Sequence, residues 1–302
     1  MSAFDVVVLG SANLDFVSSV PAIPAPGVTV LSTGREVRSG GKGLNQAVAA
    51  ARSGARTAFL GAVGEDVAGG ILLTEAEAAG IDTRLVRRVG GPSGTAWIMV
   101  QPDGENAIVV DSGANGTVTE LTEAERLVVS TAGVLVAQLE TPLSAVHAAA
   151  LAASDGGARV VLNAAPARDL PAELLRCVDV LVVNEHEARQ LSDESTLSGA
   201  VSRLLDVVTS VVVTLGGDGA LLAEPTGRHR VAGVPAQVVD TTGAGDTFTG
   251  VLAAALASAA GLEAAVSRAV VAGALAVEGH GAVSSIPTAS EVDARVERDP
   301  RR

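Results

Sequence analysis

Cysteine, lysine and long apolar runs are what this 302-residue chain has least of. A single cysteine, Cys177, excludes an intrachain disulfide and reads as a small buried residue on an apolar helix. No apolar run approaches the roughly 20 residues that a membrane span needs, because Gly, Asp, Arg or Asn interrupts each one. Basic charge is also scarce. A formal net charge of −13 disfavours nucleic acid and anionic membranes as partners, so any anionic ligand must be held locally. The opening Met1 to Asp5 has neither the charged start nor the apolar core of a signal segment, and a soluble cytoplasmic protein is expected.

The scarcity of lysine makes one position conspicuous. Among 21 Lys and Arg residues only Lys42 is a lysine, and it lies between glycines in Ser39-Gly-Gly-Lys-Gly-Leu-Asn45, where neither helix nor strand propensity asks for it.

A second glycine-rich stretch, Asp240-Thr-Thr-Gly-Ala-Gly-Asp246, organises the rest. The strand-like run Ala236 to Val239 feeds it and the Ala/Leu-rich segment Val251 to Ala257 leaves it, which predicts a strand-to-helix junction. The first amides of a helix lack intrahelical partners and carry the positive end of its dipole, and Gly243 and Gly245 let a charged oxygen approach them. Asp246 within such a site has two readings. It is either a cap, worth about 0.3–1 kcal/mol against the dipole, or a general base that takes a proton from a hydroxyl while the amides hold the phosphoryl group under attack.

Along the chain, Phe4 to Gly10 reads as a buried strand. Asn13 and Asp15 follow in alternating phase, just beyond its C-terminal end, where open α/β sheets bind ligands. A helix from Asn45 to Arg52, a strand from Thr57 to Gly61 and a helix from Val67 to Ala79 indicate right-handed parallel units. Between Ser93 and Gly113 the pattern becomes a hairpin, Thr95 to Val100 and Ala107 to Val110, joined by Pro102-Asp-Gly104. Both faces of this candidate lid are apolar, with Ala96 and Ile98 on one and Trp97 and Met99 on the other. One face is expected to cover substrate and the other to meet a partner subunit.

Strands at Val134 to Leu139, Arg159 to Asn163, Val180 to Val183 and Val211 to Leu215 then alternate with helices starting at Pro142, Pro171 and Glu185. This pattern places Glu140, Asn163 and Asn184 along the sheet edge that carries Asn13 and Asp15. Asn184 and Glu187, one helical turn apart, either cap a helix or organise a magnesium–phosphate group through water. Thr214-Leu-Gly-Gly-Asp-Gly219 is a further glycine turn, leading into a short meander of Ala220 to Ala223 and Arg228 to Ala232; with the turn at Gly243 it would flank a nucleotide. A helix from Glu263 to Val277 precedes the loop Glu278 to Ser285, in which His280 reads as a solvated side chain. The tail, Glu297 to Arg302, reads as loose.

With Gly40-Gly-Lys-Gly-Leu-Asn-Gln46 and Asp240-Thr-Thr-Gly-Ala-Gly-Asp246 present in that order, the chain resembles the ribokinase-like (PfkB) carbohydrate kinases from roughly Val6 to Pro287. Asn13-Leu-Asp15, Leu139-Glu-Thr-Pro142, Asn163-Ala-Ala-Pro-Ala-Arg168 and Asp111-Ser-Gly-Ala-Asn115 add to the resemblance. It implies a three-layer α/β/α sandwich with a mostly parallel central sheet. A small β lid from about 11–39 and 93–113 would be carried within a single domain spanning 1–302. It also implies a sugar held by Asn13, Asp15, Gly41, Lys42, Asn45 and Glu140, with Ala96 over it. Asp246 would deprotonate the primary hydroxyl of D-ribose for attack on the γ-phosphate of ATP, and the amides of Gly243, Ala244 and Gly245 would form the anion hole. Asn184, Glu187, Thr214, Gly216, Gly219 and Gly245 would serve the nucleotide and its Mg2+, with Glu187 reaching the metal through water. A K+ ion is implied at Asp240, Thr242, Ala276, Gly279, Gly281 and Ser285, and a homodimer is implied through the lid.

Two alternatives stay open. One is a related kinase for another pentose, deoxyribose or a nucleoside, against which Glu140 argues because it could bond an anomeric hydroxyl that nucleosides lack. The other is a non-catalytic sugar-binding protein, which would have no need of a base beside a phosphate site. A Walker-type nucleotidase is excluded, because Lys42 is followed by Gly43 rather than by Ser or Thr.

Overall fold

A computed structural model describes residues 4–298 of the chain. Its strands are β1 (Val6–Leu9), β2 (Asn13–Ser19), β3 (Gly34–Gly40), β4 (Thr57–Gly64), β5 (Val86–Val89), β6 (Gly94–Val100) and β7 (Asn106–Asp111). Beyond these come β8 (Val134–Ala137), β9 (Arg159–Asn163), β10 (Val180–Asn184), β11 (Ser210–Thr214), β12 (Gly219–Glu224) and β13 (Gly227–Ala232). The helices are α1 (Lys42–Arg52), α2 (Val67–Ala78), α3 (Glu123–Ser130), α4 (Leu143–Gly156), α5 (Ala172–Leu175) and α6 (Glu185–Ser192). They continue with α7 (Leu197–Leu205), α8 (Ala244–Ala257), α9 (Leu262–Ala276), α10 (Ala282–Ser285) and α11 (Ala289–Glu297).

Nine strands form one sheet in the order β13-β12-β11-β10-β9-β8-β1-β4-β5, parallel from β11 to β5 and closed at the other edge by the antiparallel pair β12 and β13. Both faces are covered, which is why strands such as β1 and β8 are apolar at every position. Alternate residues feed two cores. Val6 and Val8 of β1 pack with α1, α2, α8 and α9, while Val7 and Leu9 pack with the layer of α3, α4, α6 and α7. The helices facing the first core are built largely of alanine, and this lets α1 and α8 approach closely.

The second sheet, β3-β2-β6-β7, is the lid, and it springs from the C-terminal end of β1. Its register sets out two rows of side chains. Val37, Phe16, Trp97 and Val109 share one face, and Arg38, Asp15, Ala96 and Val110 share the other. On the first row Phe16 and Trp97 stack with ring centroids 4.5 Å apart, yet Trp97 stays 56% exposed. On the second row Asp15 and Ala96 point toward the sheet edge, and Ala96 is buried.

Several expectations are corrected. Ala236 to Val239 is not a strand: it pairs with no strand of either sheet, and the amides of Val239 and Asp240 bond instead to the carbonyl of Val277. The helix expected from Asn45 begins at Lys42, since Gly41 takes φ 89° and turns the chain straight into it. β8 ends at Ala137, two residues before the expected Leu139, and Glu278 to Ser285 contains the short helix α10. Cys177 is only half-buried, just past α5, with its thiol donating to the Glu173 carbonyl. β5, α3, α7 and α11 carry no expectation from the sequence. Of the tail expected to be loose, residues 299–302 lie outside the described residues. No helix among the described residues is long and apolar enough to cross a membrane.

A methyl group at Gly250 of α8 would stand 2.4 Å from the Gln46 carbonyl and 2.5 Å from the Ala49 methyl of α1. Overpacking of this kind costs about 1–3 kcal/mol. Gly250→Ala is therefore expected to lower the unfolding free energy by that amount, read as a lower denaturant midpoint at unchanged slope, and an unchanged midpoint would show that α1 and α8 can separate freely.

Candidate active site

Two helix starts meet at the C-terminal edge of the parallel strands. At the first, the amide of Lys42 donates to Glu140 Oε2 at 3.2 Å and that of Leu44 donates to the Ser11 carbonyl at 2.9 Å. The Ser11 hydroxyl, in turn, donates to the same Glu140 oxygen at 2.5 Å. Glu140, in the short irregular stretch after β8, is thereby fastened to the start of α1.

At the second start, Gly243 in left-handed conformation turns the chain into α8, and no side chain caps the helix. Asp246 is buried in its first turn, but its carboxylate looks across to α1 rather than back at its own helix. Asn45 Nδ2 donates to Oδ2 at 2.9 Å, and Gln46 Nε2 donates to Oδ1 at 2.8 Å. The capping reading is thus not what this side chain does. Each oxygen keeps an acceptor site for a substrate hydroxyl.

Gln46 stands in a relay of amides. Its Nε2 also donates to Asn163 Oδ1 at 3.0 Å, and its Oε1 receives Gln138 Nε2 at 2.6 Å. Gln46 and Gln138 are wholly buried. Since a carboxylate only accepts, the relay leaves Gln46 one orientation, with its nitrogen toward Asp246. The sequence reading missed both glutamines. The available signal was a polar residue heading the run Gln46-Ala-Val-Ala-Ala-Ala51, where only a satisfied buried amide belongs.

Of the residues expected to hold a sugar, Asn13 accepts from Asn115 Nδ2 at 2.8 Å, and Asn115 is itself clamped to both backbone groups of Ala12. Asn115 therefore sets the Asn13 amide. Gly41 lies against Asn13, because a Cβ there would stand 2.8 Å from the Asn13 nitrogen. Ala96 pairs with Asp15 across the lid. Buried oxygens without a protein partner include Asp15 Oδ1 and Asn45 Oδ1, the kind of acceptor that a hydroxylated ligand satisfies.

Charge is concentrated here. Burial first, and then the neighbouring charges of Glu140 and Asp246, push the Asp15 carboxyl up to about 7 against the opposing pull of Arg38. The Lys42 ammonium is moved the other way in effect: the charge of Asp246, with those of Glu140 and Glu187, raises its pKa despite burial and keeps it cationic.

Lys42, Asn163, Asn184, Glu187, Thr214, Gly243, Gly245 and Asp246 line a cavity of about 150 Å³. Asn184 and Glu187 also form a reciprocal capping box at the start of α6, each backbone amide donating to the other side chain at 2.8 Å. The capping reading of this pair is thus what the structure shows, at the wall of the cavity. Thr214 and Gly245 also line an adjoining, more apolar cavity of about 340 Å³ with Gly216, Gly219, Ala244, Val238 and Val277. Apart from its chain neighbours and the nearby backbone of its own helix, no atom stands within 4 Å of where a Gly245 side chain would be, so that side of the helix start faces open space.

The residues expected around a monovalent ion also gather. Asp240 accepts from the Thr242 amide and the Gly281 amide, both at 2.9 Å, and the Ser285 hydroxyl donates to the Gly281 carbonyl at 2.5 Å. Gly279 packs on Ser285, and its amide donates to the Ala276 carbonyl at 3.3 Å. Burial works against the Asp240 charge, but the Thr242 and Gly281 donors and the nearby Arg38 outweigh it and hold the carboxyl below its usual range. One carboxylate among backbone and hydroxyl oxygens suits a hard, singly charged cation. Among the described residues no group of three His, Cys, Asp or Glu side chains could hold a multivalent metal. His280 of this loop is exposed.

The relatives of the chain fall in one family. The family model for pfkB family carbohydrate kinases matches residues 3–289. A ribokinase of Haemophilus influenzae is 39% identical over 295 residues, covering 94% of this chain and 95% of that protein. A ribokinase of Staphylococcus aureus is 36% identical, covering 95% and 98%. Among solved structures, Arabidopsis thaliana ribokinase complexed with ribose and ATP superposes with a TM-score of 0.92 at 34% identity, covering 98% of this chain and 99% of that one. A buried carboxylate at a helix start, a lone lysine among carboxylates and a lidded α/β sheet thus occur in a chain that belongs to the pfkB family of carbohydrate kinases.

Proposed function

We propose that this chain transfers the γ-phosphoryl group of ATP to the 5-hydroxyl of D-ribose, giving ribose 5-phosphate and ADP. The observation that carries the reading is Asp246, buried at an open helix start with one amide donor from α1 on each oxygen. Such a carboxylate is fixed in direction, faces an adjacent lysine and still has room to accept a proton. As it takes the hydroxyl proton, the sugar oxygen bonds to phosphorus and the bond from phosphorus to the β-phosphate oxygen breaks. The amides of Gly243, Ala244 and Gly245 would hold the charge that develops, and Lys42 would neutralise the phosphoryl oxygens.

The sugar fits beneath the lid. Asn13, Asp15, Asn45 and Glu140 offer it mixed donors and acceptors, and Ala96 closes over it. The 340 Å³ cavity suits the base and ribose of ATP, with Thr214, Gly216 and Gly219 along its rim. Mg2+ arriving with the nucleotide would supply charge neutralisation across the phosphates, and Asn184 and Glu187 would hold it through water. K+ would sit among the oxygens of Asp240, Thr242, Ala276, Gly279, Gly281 and Ser285. A substrate panel of ribose, deoxyribose, other pentoses and adenosine decides among the kinase readings. An ATP-consuming reaction and an unpaired thiol suit a cytoplasmic enzyme. The apolar row Val37, Phe16, Trp97 and Val109, exposed at every member but the half-buried Phe16, suits a homodimer joined lid to lid.

Asp246→Asn is expected to lower turnover about a hundredfold or more while ribose affinity stays within a few fold, measured by ADP release and by calorimetry; a near-parental rate would remove Asp246 from the mechanism. Sedimentation of Trp97→Asp with Met99→Asp is expected to give monomers, and an unchanged dimer would rule out the lid interface.

Stability should also vary with pH through Asp15. The folded, ligand-free chain keeps this proton to about pH 7, whereas an unfolded aspartate ionises near pH 4. The unfolded state therefore binds fewer protons in that window, and stability falls from about pH 4 to 7 and no further above it. Asp15→Asn removes the penalty, so its melting temperature relative to the parent should climb across the window and then level off. A difference that stays constant from pH 4 to 8 would show that Asp15 ionises normally.

A further inference from the structure

The inward row of the lid carries a cation that phosphoryl transfer does not use. Arg38 of β3 stands opposite Asp15 of β2, and its guanidinium reaches out of the lid to the loop at Asp240. Nη1 lies 3.5 Å from Asp240 Oδ2, the oxygen that also accepts from the Gly281 amide. The stem packs over Gly281, where a Cβ would stand 3.4 Å from both Arg38 Cδ and Arg38 Nη1. A rival carboxylate holds the same guanidinium from the other side: Glu36 Oε2 receives Arg38 Nε at 2.7 Å and Nη2 as well. Arg38 and Asp240 are sheltered, with side chains 28% and 20% exposed, whereas Glu36 is 61% exposed.

We infer that Arg38 is a lid-borne counter-charge of the cation loop, competing with a free monovalent ion for Asp240 and fastening the lid to that loop. The inference rests on the loop being the K+ site proposed above. A guanidinium fixed beside the carboxylate offsets the negative potential that draws an ion to the neighbouring carbonyls, and two cations a few ångströms apart in a partly desolvated site repel. The effect is reciprocal. An ion that displaces Arg38 releases the lid strand, and a lid drawn down through Arg38 weakens the ion. Glu36 sets the balance by drawing the guanidinium away from Asp240.

The test uses the substrate-free full chain in two variants. Arg38→Met keeps the stem and removes the charge, and Glu36→Gln removes the rival. Thermal denaturation is titrated with potassium chloride against choline chloride at constant ionic strength, and the emission of Trp97, the single tryptophan, reports the lid in the same titration. The K+ midpoint is expected to fall about fivefold or more in Arg38→Met, within the usual range of coupling, and to rise in Glu36→Gln. The K+-induced change in Trp97 emission should be present in the parent and lost in Arg38→Met. Equal midpoints in all three proteins overturn the role of Arg38 and leave the ion site standing. Absence of any K+-specific stabilisation removes both. Should Arg38→Met fail to fold, Glu36→Gln decides alone, and a midpoint at or below that of the parent overturns the competition.

Discussion

The contact on which the rest of the site depends is that between α1 and α8. It brings Asp246 within 2.9 Å of Asn45 and 2.8 Å of Gln46, across about two hundred residues of sequence. Everything nearby serves that meeting. The glycine at 250 and the alanines of α1 let the backbones approach, and Gln138 and Asn163, arriving from two neighbouring strand ends, hold the Gln46 amide from behind. A carboxylate buried in this way is costly unless both oxygens are bonded, and here both are.

The parallel sheet explains why so many polar groups converge. Every strand from β11 to β4 runs the same way, so each ends at one edge, and Ser11, Glu140, Asn163, Asn184 and Thr214 all stand at or just past such an end. Helix starts follow several of those ends, which gives the edge positive potential while the strand termini give it acceptors. The lid adds Asp15, Asn13 and Ala96 from above. The polar groups of the proposed site are thus divided between the edge of the large sheet and the small sheet that follows β1.

Much of this was legible in the sequence, for physical reasons. Glycine turns, buried apolar strands and the alternation of the lid hairpin are local patterns, and the structure keeps them. The run Ala236 to Val239 misled because its β-branched residues mimic a strand, although the amides of Val239 and Asp240 bond to the Val277 carbonyl at the end of α9 rather than to a strand. α3 and α7 are short segments without the long periodicity that marks a helix in sequence alone. The roles of Gln46, Gln138, Asn115 and Arg38 were out of reach for a different cause: each is defined by a partner far along the chain, and nothing local announces it. For Asp246, setting aside the cap turned on the direction of one side chain, which the sequence does not carry.

The order in which the chain is made gives the contact between α1 and α8 a further meaning. α1 is complete at Arg52, but the face it buries waits for residues 244–257. During synthesis, therefore, the alanine- and valine-rich side of α1 remains wet until most of the chain has emerged, and no shorter product can assemble the edge where the two signatures meet. A chain broken off before residue 244 would present an unfilled apolar groove to the chaperones and proteases of its surroundings, so the same contact that aligns the site also marks an incomplete copy for removal.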